Sequence, residues 1–165
     1  INLFAYHLPL DAHPALGNNA QLGMKLGLAA HDGEKGRFGE HGLGFLGGKP
    51  DGSGFSGAEA LADGIAAALK RPVTLVQGAA GAIQNVAWCS GGAQGYFEAA
   101  IAAGADAFIT GEISEPQAHY AREMGVTFIA CGHHASERYG APAVAAHVAS
   151  QFGLVHEFID IDNPA

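Results

Sequence analysis

From residue 73 onward the chain alternates short apolar runs with helical stretches, and this alternation restricts it to a small set of α/β layer folds. Residues 73–77, 85–89, 105–110 and 126–130 read as strands. Helices are expected over 94–103, over 115–124 with Pro116 in its first turn, and over 133–152 with an interruption at Gly140-Ala141-Pro142. Gly104 and Gly125 follow the first two of these helices, where a left-handed residue ends a helix at little cost. Ser114 stands where a cap is expected, and residues 155–161 read as a closing strand.

The front half is less regular. Residues 3–7 read as a strand, Gly17-Asn18-Asn19 breaks it, and 20–28 has helical apolar spacing. Residues 31–57 are Gly-rich and read as a loop segment holding one short strand at 43–46. Ser56 followed by Glu59 fits a capping box for a helix over 57–70, which Arg71-Pro72 ends. The chain opens in an apolar run, Ile1 to Tyr6, rather than on Met. That opening reads as a strand in mid-fold, so a further N-terminal part is expected before it.

Composition narrows the function classes. With 165 residues, 48% of them hydrophobic, the chain can bury a real core. No run approaches the roughly 20 apolar residues of a membrane span. A net charge of −8 argues against a nucleic-acid partner, because an acidic surface repels phosphate backbones. Two cysteines, Cys89 and Cys131, without a compact disulfide framework suggest a reducing compartment, hence a cytoplasmic protein. Cys131 lies in an apolar strand and reads as a buried hydrophobe rather than a nucleophile. Nine histidines outnumber the eight Lys and Arg together, which directs attention to metal binding.

Three segments carry the ligand chemistry. His133 and Glu137, in Gly132-His133-His134-Ala135-Ser136-Glu137-Arg138, follow a strand and share a helix face one turn apart. Together they can reach one ion or bridge two. The same spacing also describes an ordinary helix start with a Glu–Arg surface face. His7 to His13 surrounds Asp11, whose carboxylate can serve as a ligand or bond its own backbone in a turn. Thr110-Gly111-Glu112 leads into Glu115 and His119, which either repeat the ligand pattern or simply favour the helix start. A Gly-rich turn, Ser90-Gly91-Gly92, offers N–H groups to an anion but lacks the Lys of a phosphate loop.

Taken together, Ala5 to Pro14 with Leu16-Gly17-Asn18-Asn19, Val86 to Gly92, Asp106 to Glu112, Gly132 to Arg138 and Phe158 to Pro164 resemble the NIF-three-like dinuclear-metal family, the GTP cyclohydrolase 1 type 2 homologs. The resemblance runs along essentially the whole chain. It implies two α/β lobes with mixed sheets flanking a metal cleft. Residues 1–30 would then finish a first lobe, 31–57 form the Gly-rich loop, 58–125 a second lobe, and 126–165 a return that completes the site. The implied ligands are Asp11, His133 and a bridging Glu137, holding two divalent ions; Zn, Mn, Fe and Ni all suit such donors. A further His-His pair would lie upstream of residue 1. His7, Glu112 and His134, with Glu115 and His119, would stand behind the ligands or face the substrate, and no catalytic residue is assigned. The resemblance further implies a toroidal homohexamer. It points to a metal-dependent hydrolase acting on a nucleotide or other small molecule, the alternative being a non-catalytic scaffold for metal storage, delivery or sensing.

Overall fold

A computed structural model describes residues 1–3 and 5–164. Its centre is a mixed sheet of seven strands. In chain order these are β1 (Ala29–Ala30), β2 (Arg37–Phe38), β3 (Gly44–Gly48), β4 (Thr74–Val76), β5 (Val86–Trp88), β6 (Ala107–Thr110) and β7 (Thr127–Ala130). The order across the sheet is β1-β3-β5-β6-β7-β4, and β2 also pairs with β3. The two ladders β5–β6 and β6–β7 are parallel, and the others are antiparallel. The mixed α/β class expected from the alternation is therefore the class observed. The sheet takes strands from all four stretches of sequence, 1–30, 31–57, 58–125 and 126–165.

Why the central strands sit where they do follows from their side chains. Parallel strands covered on both faces read as continuous apolar runs, and Ala107–Thr110 and Thr127–Ala130 are buried at every position. Successive residues alternate between faces. Ile109, Ile129 and Trp88 pack on one side with Leu22, Leu61 and Ile65. Phe108, Phe128 and Ala87 pack on the other with Phe97 and Phe38. The second layer is an aromatic cluster: Phe97 meets Phe128 edge-on at 4.9 Å between centroids, and Phe108 meets Phe128 at 5.5 Å. Each such buried Phe contributes about 1.5–3 kcal/mol by removing apolar surface from water.

The helices are α1 (Leu8–Asp11), α2 (Asn18–Lys25), α3 (Ala58–Leu69), α4 (Phe97–Ala102), α5 (Glu115–Met124), α6 (His133–Glu137) and α7 (Gly140–Phe152). The helical stretch is interrupted, but at Arg138-Tyr139; Gly140-Ala141-Pro142, where the break was expected, form the first turn of α7. Other expectations differ in detail. Helix α3 starts one residue later than the capping-box reading, with Gly57 at the N-cap and no side-chain cap bond. Ser114 does stand at the N-cap of α5, but its hydroxyl makes no cap bond.

Residues 155–161 form no strand. A strand needs a neighbour for its backbone groups, and none of the described strands pairs with this segment, so Val155, Ile159 and Ile161 remain exposed. The segment is tied down instead by an ion pair between Arg138 and Asp160. The strand expected over 3–7 includes Phe4, which lies outside the described residues; Leu3, Ala5, Tyr6 and His7 are not in a strand. Among the described residues no helix is long and apolar enough to cross a membrane.

Candidate metal centre

The parallel strands β5, β6 and β7 all end at one edge of the sheet, and the three loops leaving that edge are bonded to one another. The carboxyl edge of parallel strands is where α/β proteins usually hold ligands. The Gly111 N–H donates to the Gly91 carbonyl at 2.9 Å, and the Gly132 N–H donates to the Gly111 carbonyl at 2.9 Å. Ser136 continues the chain of bonds: its hydroxyl accepts from the Gly91 N–H at 2.9 Å and donates to the His133 carbonyl at 2.9 Å. Ser90, Gly91, Glu112 and His133 are thereby held on one rigid shelf.

Glycine is required at two points of this shelf. Gly91 has a φ of +67°, and a Cβ there would lie 2.2 Å from Glu137 Oε1 and 3.1 Å from His133 Nε2. A Cβ at Gly111 would meet the Gly91 carbonyl at 2.6 Å and the His133 Cα at 2.7 Å. The missing side chains leave room for the polar ends of His133 and Glu137.

Helix α6 then sets His133 and Glu137 one turn apart, with His133 Nε2 3.0 Å from Glu137 Oε2. The other ring nitrogen, Nδ1, lies 2.6 Å from Glu112 Oε1. Ionised carboxylates only accept, so the protonated form of the ring can donate to both, one nitrogen to each. The Glu112 hydrogen bond is the main cause that raises the His133 pKa above its ordinary value, opposed by partial burial and aided by the Glu137 charge. The same bond, helped by Gln94, lowers Glu112 below the usual carboxylate range. A metal at Nε2 would displace that proton, while Glu112 would keep the ring orientated through Nδ1.

From the other side comes the single turn α1, with Pro9 inside it. Its last residue, Asp11, is buried, and Asp11 Oδ2 lies 3.6 Å from His7 Nε2. Donor atoms of His7, Asp11 and Glu137 all lie within 4.8 Å of one another. One imidazole and two carboxylates, brought together from distant parts of the chain, are a donor set that suits a divalent ion. The residues fit a metal on this ground and on the space that Gly91 leaves before Glu137. They line a cavity of about 300 Å³ with His133, Asn19, Cys89, Ser90 and Tyr96.

The structure thus brings Asp11, His133 and Glu137 to one cavity, as the sequence leads one to expect, and sets His7 closer to the carboxylates than a supporting role implies. Glu112 bonds His133, the role of an orientating group. His134 faces away, lining neighbouring pockets with Arg138, and its Nε2 is buried without a hydrogen bond. Glu115 and His119 are exposed on α5 and do not line the cavity. His13 accepts from the Ala15 and Leu16 N–H groups, whereas the Asp11 carboxylate bonds Asn18 and faces His7 rather than its own backbone. A larger apolar cleft of about 690 Å³ between α1 and α7 has no carboxylate in its walls. Burial raises Cys89 and Cys131 to about 12, so neither thiol is a nucleophile at neutral pH.

Two asparagines were missed by sequence reasoning. Asn19 is fully buried: it donates from Nδ2 to the Leu43 carbonyl at 2.9 Å and accepts at Oδ1 from the Ser90 N–H at 2.7 Å, while its carbonyl accepts from Trp88 Nε1 at 2.8 Å. Asn18 donates from Nδ2 to Asp11 Oδ1 at 2.8 Å. Gly17-Asn18-Asn19 reads locally as a break between elements, and the resemblance that includes it assigns the amides no role.

Comparison with known proteins gives a consistent result. The model of a family described as Duf34/NIF3 (NGG1p interacting factor 3) matches residues 1–164. A protein of Neisseria meningitidis serogroup B named "GTP cyclohydrolase 1 type 2 homolog" is 50% identical over 165 residues, which is 100% of this chain and 64% of that protein. One of the same name from Allochromatium vinosum is 46% identical over 100% of this chain and 63% of its own length. Among solved structures, one titled "protein ybgI, unknown function" superposes with a TM-score of 0.88 at 43% identity, over 99% of this chain and 63% of that one. A protein of Thermus thermophilus, TTHA1606, gives 0.78 at 30% identity, over 100% of this chain and 63% of that one. The chain spans just under two thirds of the length of these relatives.

Proposed function

The chain belongs to the Duf34/NIF3 family, and from that premise we propose that it binds two divalent metal ions through Asp11, His133 and Glu137 and serves as a metal-dependent hydrolase of a nucleotide or other small molecule. The observation that carries the metal reading is the meeting of Asp11, on α1, with Glu137, on α6, beside His7. Glu137 would be a carboxylate ligand, with Oε2 beside His133 Nε2 and Oε1 toward the open side of Gly91.

When bound, divalent ions supply Lewis-acid chemistry, polarising a carbonyl or phosphoryl oxygen and making water more acidic near neutral pH. The chain's own residues do the rest. Glu112 holds the His133 ring by Nδ1, so that Nε2 faces the cavity. His7 stands exposed at the mouth beside Asp11, within reach of the same ion as Asp11 and Glu137. Tyr96 and Leu43 form part of the cavity wall. The hydrolytic reading takes its support from the name its relatives carry, GTP cyclohydrolase 1 type 2 homolog. Assembly as a toroidal homohexamer belongs to the same proposal and is checked by light scattering on the eluting protein.

The test is turnover. Full-length protein reconstituted in turn with Zn, Mn, Fe and Ni is offered GTP, other nucleotides and simple phosphoesters. Metal-dependent product formation that is lost in His7→Ala supports a hydrolase. Stable metal binding with no product from any of them would leave a scaffold for storage, delivery or sensing.

A further inference from the structure

Asp11 has two carboxylate oxygens, and the structure treats them differently. Oδ2 faces His7 Nε2 at 3.6 Å, toward the cavity. Oδ1 accepts a hydrogen bond from Asn18 Nδ2 at 2.8 Å. The far end of the Asn18 amide is also committed. Asn18 Oδ1 accepts from the Gly140 N–H at 2.7 Å.

This second bond determines the first. An amide group has one accepting end and one donating end. The Gly140 N–H can only donate, so the amide oxygen must face it, and the NH2 must then face Asp11. Gly140 opens α7, where the first N–H groups have no partner within the helix. A Cβ at Gly140 would lie 2.6 Å from Asn18 Oδ1, so the close approach of α7 depends on glycine there. The amide cannot turn over without setting its NH2 against a donor and its oxygen against a carboxylate.

We infer that Asn18 is a positioning residue: anchored to the start of α7, it occupies Asp11 Oδ1 and so limits Asp11 to binding metal through Oδ2 alone. This rests on the proposed metal reading of the site. It extends that reading to the mode of coordination and ties α7 to the geometry of the ligands.

Cobalt(II) binding to the full-length protein tests the inference, because its visible absorption bands report the number and arrangement of ligand atoms. In Asn18→Leu, which has similar volume and no polar atoms, Asp11 Oδ1 is released. The cobalt spectrum should change, and the dissociation constant should rise roughly 10–100-fold, the usual cost of removing a group that orientates a ligand. Asn18→Asp keeps an acceptor for the Gly140 N–H but cannot donate to Asp11 when ionised, so its spectrum should change too even with the α7 contact retained. Metal-free melting temperatures of both variants separate these effects from general loss of fold. Spectra of both variants that superpose on that of the unsubstituted protein, with affinities within about twofold, well short of that usual cost, would overturn the inference and leave Asn18 as a cap for α7. If the unsubstituted protein takes up no cobalt, the metal reading itself fails, and this inference with it.

Discussion

Glu112 Oε1 lies 2.6 Å from His133 Nδ1, a contact between a residue of the loop that follows one strand and the residue that begins α6. The two side chains come from the ends of neighbouring parallel strands, β6 and β7. The sheet register therefore sets their separation, and through it the direction of His133 Nε2.

That contact makes stability depend on pH. The raised pKa of His133 gives a contribution fully present below its ordinary value of 6.5 and lost as pH rises through the raised one. The lowered pKa of Glu112 gives a contribution present above its ordinary value of 4.5 and lost as pH falls through the lowered one. The pair therefore supports the metal-free protein most between 4.5 and 6.5. The urea midpoint should exceed that of Glu112→Gln at about pH 5.5, and the gap should shrink by about pH 8.5. A gap that widens with pH would contradict this account of the pair.

Gly91 separates metal binding from folding. In Gly91→Ala the new Cβ meets the end of the Glu137 side chain, and the backbone is held at a φ that L side chains rarely adopt. The carboxylate can swing away, so the cost to stability should be only about 1–2 kcal/mol. Metal affinity should fall by roughly tenfold or more, because the bridging group is displaced. Calorimetric titration with zinc beside a chemical melt checks both halves.

Asn19 should matter to the fold rather than to the metal directly. Asn19→Ala leaves the Leu43 carbonyl and the Ser90 N–H buried without these partners. Losing both should cost about 2–4 kcal/mol. Equilibrium urea unfolding measures it; a loss below about 0.5 kcal/mol, the range of ordinary surface changes, would show that water replaces the amide.

What could be read from the sequence depended on periodicity. Ala107–Thr110 and Thr127–Ala130 are continuous apolar runs because both faces of the sheet are covered, so their strands stood out. Helix α5, bounded by Ser114 and Gly125, is legible to the residue. The closeness of His133 to Glu137 was legible because residues four apart on a helix share a face, while their meeting with Asp11 was implied only by the resemblance. The closeness of His7 to the carboxylates was not, because α1 is a single turn of four residues, too short for any period to appear. Residues 155–161 are rich in the β-branched and aromatic residues that favour strands, but composition does not say whether a partner edge exists. The Asn18–Gly140 bond joins two helices distant in sequence, and no local pattern encodes it.

The most direct measurement is elemental analysis of the full-length protein and of Glu137→Ala, each read against subunit concentration. The account predicts about two divalent ions per unsubstituted chain and close to none in the variant, since the carboxylate shared between ions is gone. Equal metal content in the two proteins, or none in the first, would contradict it.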